Sequence, residues 1–178
     1  AAAELPLWEM SRDWGRAGAA ALAQLEVRAA GGDAALAAQL EALAASGSRW
    51  VFERGQEPQR AAALKTALAA EMPVRPDGAA LTPENLEGLP EFQLQDLLRA
   101  CRSSLPDGTQ GCVLVMGGFL PGKAQQGLVL YRASGGKFLE AGHLVLAGDA
   151  PASLRGAAVF DPGGRQQLPL AAIGQVLA

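Results

Sequence analysis

The chain has few residues suited to chemistry. One histidine, two cysteines, one tyrosine and three lysines are spread over 178 residues. One histidine and two cysteines in separate elements offer no metal-ligand spacing, so neither a metal site nor a cofactor is expected. Positive charge never gathers into a run, and the net charge is −3. Nucleic acid and anionic membranes are disfavoured as partners, because phosphate recognition needs clustered cations. No apolar run approaches the roughly 18–20 residues that cross a bilayer, so no membrane span is expected. Charged residues make up only 19% against 49% hydrophobic, which leaves ample apolar surface to bury and argues against disorder. Twelve of the fifteen basic residues are Arg, and there is one Ile and one Asn, a pattern of high-GC coding rather than of function.

The opening "AAAELPLWEM" lacks Met and a charged leader. It fits a chain from which a tag or leader has gone, or a piece of a longer protein. Cys101 falls in an expected helix and Cys112 at the start of an expected strand. Two buried free thiols are the expectation, with pairing in an oxidising compartment as the alternative. The cytoplasm is the expected location, with the periplasm or export as the alternative.

The pattern is α+β: helices packed on an antiparallel β-meander of four to six strands. Leu7, Met10, Trp14, Ala21 and Leu25 share one face and predict a helix over about 7–29. Gly15 and Gly18 either weaken it or admit a second backbone close by. Asp33 caps a second helix whose stripe is Leu36, Leu40 and Leu43, ended by Gly47. "RWVFER" (49–54), aromatic and β-branched, reads as a strand. Pro58 suits the first turn of a third helix, which Pro73 stops. Three prolines and an Asp-Gly pair in "PVRPDGAALTPEN" (73–85) mark a linker, 73–81, between a mainly helical segment, 1–72, and a helix-plus-meander segment, 82–178, with one core expected to be shared. Thr82-Pro83-Glu84 marks a helix start, and Phe92, Leu94, Leu97, Leu98 and Cys101 form a further helical stripe. Then "GCVLVMGG", "GLVLYRASGG", "GHLVLAGD" and "GAAVFDPGG" follow as consecutive antiparallel strands. "FLE" (138–140) extends the third, and "QLPLAAI" adds a last strand or helix. Their continuous apolar runs imply a sheet covered on both faces, or on one face by helices and on the other by a partner.

"GGFLPGK" (117–123) carries the glycine and lysine spacing of a phosphate-binding loop. Ala124 stands where that loop needs a hydroxyl, Pro121 lacks an N–H, and the next residues read as a strand rather than a helix. A nucleotide is therefore not expected, and the segment reads as a hairpin loop with Phe119 and Leu120 at its tip and Lys123 on its flank. An apolar pair at a tip either folds back on the core or touches a partner. Trp8, off the main apolar face, is a second candidate contact. Cys101 with His143, or Ser103 and Ser104 with His143 and Asp149, can be written as catalytic constellations. No local motif supports them, and a lone histidine at a strand start is more often structural, so no catalytic residue is assigned.

"NLEGLPEFQLQDLLRACRSS", "GCVLVMGG" and "GLVLYRASGGKFLEAGHLVLAGD", about residues 84–149, resemble the PATAN-type module of bacterial signalling proteins. Leu94, Leu97 and Leu98 match its helix. Gly111, Val113 and Val115 match its first strand, Gly127, Leu128 and Leu130 its second, and Gly136 to Ala141 the following turn. "FLPGKAQQ" is longer than the module's usual hairpin. The resemblance implies a non-catalytic protein–protein interaction module of a bacterial regulatory or assembly system, with a protein partner or a homo-oligomer as its target. A small-molecule binder or minor enzyme with a pocket between helices and sheet near His143 is the first alternative. An exported structural protein is the second.

Overall fold

Asp33 begins the clearest helix as the sequence predicts. Its Oδ1 accepts the Leu36 N–H at 3.1 Å, and helix α3, Ala34–Ala45, follows. The computed structural model describes residues 5–122, 125–133, 136, 138–158 and 168–177. It divides into two compact units, 1–59 and 60–178, with the boundary inside a helix rather than at 73–81.

In the first unit the expected 7–29 helix is two helices, α1 (Leu7–Arg12) and α2 (Gly15–Ala30). The break follows from Gly15, whose φ of +53° lies outside the right-handed helical region. Gly18 then lets the two helices touch: a Cβ there would lie 2.0 Å from the Met10 carbonyl oxygen. Trp14, expected on the inner face, sits at the break and is exposed. Leu7, Leu43 and Phe52 form the apolar cluster, with Trp8, Met10, Leu22, Leu25 and Leu40 packed on it.

The "RWVFER" strand is not formed. These residues open helix α4, Arg49–Glu71, and Pro58 lies inside that helix rather than at its first turn. Ser48 explains the start: its Oγ accepts from Val51 N–H at 3.4 Å and its carbonyl from Phe52 N–H at 3.1 Å. Arg49 pairs with Glu53 one turn on, at 2.6 Å, and with Glu9 at 2.8 Å. A strand here would need a neighbour to take its backbone groups, and the first unit has none among the described residues.

The second unit holds α4 from residue 60, then β1 (Val74–Arg75), a 3₁₀ turn (Glu84–Leu86), α5 (Glu91–Arg102), β2 (Cys112–Met116), β3 (Gln126–Arg132), β4 (Phe138–Val145), β5 (Ser153–Gly156), β6 (Leu168–Pro169) and α6 (Ala172–Leu177). The sheet runs β1-β2-β3-β4-β5, with β6 also on β4. β2 to β5 form the antiparallel meander, while β1 is parallel to β2. The proposed linker is thus partly sheet: Val74 pairs with Leu114, and Leu81 is buried. The helix start at Thr82 is only the 3₁₀ turn. The fourth strand lies earlier than "GAAVFDPGG", because Leu154 opposite Leu144 brings an apolar side chain to the core that Gly156 does not. Residues 159–164 of that stretch lie outside the described residues. "FLE" extends the third meander strand, and "QLPLAAI" supplies both a strand and a helix.

Alternation along the strands covers both sheet faces, the first of the two arrangements the apolar runs imply. On one face Cys112, Leu114, Val129 and Leu144 pack with Leu68 of α4, with Met72 just past its end, and with Leu94, Leu97, Leu98 and Cys101 of α5. On the other, Val113, Leu130 and Leu139 pack with Leu105 and with Ile173 of α6. Phe92, expected in the α5 stripe, is 63% exposed, since it precedes Leu94 by two residues and so faces nearly the opposite way. Cys101 and Cys112 are not free thiols: a disulfide joins them inside the first of these two clusters.

Candidate functional site

The hairpin between β2 and β3 is closed by Gly117 N–H, which donates to the Gln126 carbonyl at 3.1 Å. Gly122, at φ +74°, makes the return turn. Gln126 begins β3 with its side chain turned inward; the residue is 3% exposed. Its carboxamide reaches across the loop to Leu120. Leu120 N–H donates to Oε1 at 3.0 Å, and Nε2 donates to the Leu120 carbonyl at 2.6 Å. The tip backbone is thereby held, while Phe119 and Leu120 remain 46% and 50% exposed. The Phe119 ring lies over Gly117, whose missing Cβ would be 3.2 Å from two ring carbons. Lys123, the flank residue of this loop, lies outside the described residues. After the loop the chain enters β3 rather than a helix.

Trp8 is half-buried in the first unit. Its ring centroid is 6.3 Å from that of Phe52, and the Arg12 guanidinium lies 5.4 Å from it. The more exposed tryptophans are Trp14 and Trp50, and the Arg54 guanidinium lies over the Trp50 ring at 4.7 Å.

His143 stands on β4 opposite Leu128, and its Nε2 is 2.7 Å from Gln126 Oε1. Its neighbour Leu144 points into the cluster that holds Cys101, so His143 faces the other side of the sheet. Cys101 is in a disulfide, and the Ser103 hydroxyl donates to the Ala100 carbonyl at 2.7 Å. The structure does not bring Cys101 and His143 together, and it places Ser103 just past α5 and Asp149 in the exposed turn after β4. Among the described residues no three His, Cys, Asp or Glu side chains could hold a metal ion, and no helix is long and apolar enough to cross a membrane.

A cleft of about 430 Å³ opens between the last turns of α5 and the β3–β4 hairpin, away from His143. Asp96, Arg99, Ser103, Tyr131, Arg132 and Glu140 are among its walls. Arg99 pairs with Asp96 at 2.9 Å. Arg132 donates to the carbonyls of Gly136 and Ser104, each at 3.3 Å. Burial, reinforced by the Glu140 hydrogen bond and the negative charges of Glu140 and Asp96, pushes the Tyr131 phenol up to about 12. Sequence reasoning passed over this cleft and over Gln126. The available signals were the single tyrosine beside a turn and a lone polar residue heading an apolar strand.

The chain matches no protein-family model, no curated protein and no solved structure.

Proposed function

We propose that this chain is a non-enzymatic protein-interaction module of a bacterial regulatory or assembly system, the reading that the PATAN-type resemblance also favours, and that it meets its partner or a second copy through the β2–β3 hairpin tip. One observation carries this: the tip backbone is fixed by Gln126 while the side chains of Phe119 and Leu120 stand half exposed. A fixed backbone offering two apolar side chains binds without first ordering a loop, which removes part of the entropic cost of association. The test is sedimentation of the parent over a concentration series, together with cross-linking from a photoreactive amino acid at position 118, where an added side chain meets nothing within 4 Å. A concentration-dependent dimer, or a cross-linked species lost in the Phe119→Ser/Leu120→Ser variant, supports the reading. Sedimentation as a monomer throughout, with cross-linking indifferent to the double substitution, overturns it.

The Cys101–Cys112 disulfide favours an oxidising compartment, periplasmic or extracellular, over the cytoplasm. Alkylation of protein taken directly from its native cells, followed by intact mass, distinguishes the bridged from the reduced form.

The cleft beside Tyr131 favours a second reading, a small-molecule site. Its walls carry both charge signs, Asp96 and Glu140 with Arg99 and Arg132, so a compact zwitterion such as a free amino acid suits it best. Thermal stabilisation by amino acids, lost in Tyr131→Ala, would favour this reading over the first.

A further inference from the structure

A buried carboxamide is costly unless its oxygen and its NH₂ group both find partners. Gln126 meets that demand with Leu120 and His143. The orientation of its amide is settled by Leu120, because the two bonds to that residue are reciprocal: the oxygen faces an N–H and the nitrogen faces a carbonyl. Reversing the amide would set NH₂ against N–H and oxygen against oxygen. Oε1 is therefore the atom that meets His143, and it can only accept. At 2.7 Å, His143 Nε2 must supply the proton. In neutral His143 the proton is consequently on Nε2, and Nδ1 is bare.

The sheet register makes this contact possible. Gln126 is opposite Val145 and His143 is opposite Leu128, so the two residues share a face as diagonal neighbours across β3 and β4. His143 does not touch Leu120 through any of these bonds. It fixes the oxygen that fixes the Leu120 backbone.

We propose that Gln126 and His143 are positioning residues, a two-part latch that sets the shape in which the hairpin presents Phe119 and Leu120. The proposal rests on the reading of that tip as the contact surface, but the latch itself is read without any partner. Two chemical roles follow. Gln126 supplies both ends of the clasp, and His143 supplies one N–H that keeps the carboxamide from turning away. The role of His143 needs only a donor at that point, not an imidazole.

The experiment uses the full chain, nitrogen NMR of the imidazole, and amide hydrogen exchange in the parent, His143→Ala, His143→Gln and Gln126→Leu. The parent is expected to show the Nε2–H tautomer. In His143→Ala the Leu120 amide is expected to exchange roughly tenfold faster, the loss of about one hydrogen bond, while sheet amides such as Leu114 and Leu130 keep their rates. His143→Gln restores a donor and is expected to return most of the protection. Gln126→Leu is expected to release the loop further. Should that variant fail to fold, the His143 pair carries the test. An Nδ1–H tautomer, or Leu120 exchange unchanged in His143→Ala, overturns the latch. Loop protection that depends on His143, in a protein whose association is indifferent to Phe119→Ser/Leu120→Ser, would leave the latch standing and remove the proposed contact surface.

Discussion

Tyr131 and Glu140 face one another across β3 and β4, and Tyr131 is the only tyrosine in the chain. Phenolate absorbance therefore reports this residue alone. From an ordinary value of 10.0 the phenol is raised to about 12, first by burial and then by Glu140. A raised phenol stabilises the folded state fully below about pH 10, where both states keep the proton. That contribution is lost as pH climbs from about 10 to about 12, because the unfolded chain ionises first. An alkaline titration is expected to show a folded midpoint about two units above that of the chain in denaturant. Glu140→Gln removes a negative neighbour and should lower the folded midpoint. A folded midpoint near 10 would place Tyr131 in a wetter and less negative setting than the cleft described above.

The disulfide between Cys101 and Cys112 closes a short loop, with a sequence separation of 11. Cross-linking so short a segment restricts the unfolded chain by about 2–3 kcal/mol in the chain-entropy account. Cys101→Ala/Cys112→Ala is expected to lose about that much in urea unfolding, with the meander retained. A double variant as stable as its parent would mean that burial of these side chains, rather than the bond, supports this corner of the fold.

Gly18 is the point where α2 meets the backbone of α1. A methyl group there would sit 2.0 Å from the Met10 carbonyl oxygen, and backbone cannot swing aside as a side-chain end can. Gly18→Ala is expected to cost about 1–3 kcal/mol, the range for an overpacked site, despite the better helix propensity of alanine. A stabilising effect in thermal melts would mean that α1 and α2 are not in contact there.

How the sequence related to the fold depends on which force decided each segment. The α5 stripe at Leu94, Leu97, Leu98 and Cys101, the Asp33 cap and the first three meander strands were legible because local pattern and tertiary burial agree there. "RWVFER" was not, because its β-branched and aromatic content favours a strand only where a neighbour accepts the backbone groups. In its absence Ser48 and the Arg49–Glu53 pair carry the residues into a helix. Trp14 misled for a different reason: helical periodicity assumed a continuous helix, but α1 ends at Arg12 and the chain turns through Trp14 into Gly15, whose φ is positive. The hairpin tip was legible as an apolar pair, but Gln126 was not. Whether a lone glutamine satisfies a loop depends on two backbone atoms six residues away, which no periodic pattern encodes.

Gly55 tests the helical assignment of that misread stretch. It lies within α4, is exposed, and an added Cβ meets nothing within 4 Å. In a helix, Gly55→Ala should stabilise by roughly 0.5–1 kcal/mol by limiting the unfolded backbone. Far-ultraviolet dichroism should show no loss of helix, and the melting temperature should rise. A fall in stability would favour a turn at this position, as expected between a strand and a helix starting at Pro58.

The hairpin loop offers a last discrimination, between spacing and context. Gly117, Gly122 and Lys123 have the intervals of a phosphate-binding loop, yet the segment leads into β3 and the Leu120 N–H is already donated to Gln126. A phosphate cradle needs free backbone N–H groups and a helix start behind them. ATP with magnesium at millimolar concentration is therefore expected to leave the melting temperature unchanged. Lys123→Ala should likewise leave it unchanged with or without nucleotide. A nucleotide-dependent rise that Lys123→Ala abolishes would mean that the loop opens, releases the Leu120 amide and wraps an anion, and the latch at Gln126 would then be a gate for that ligand.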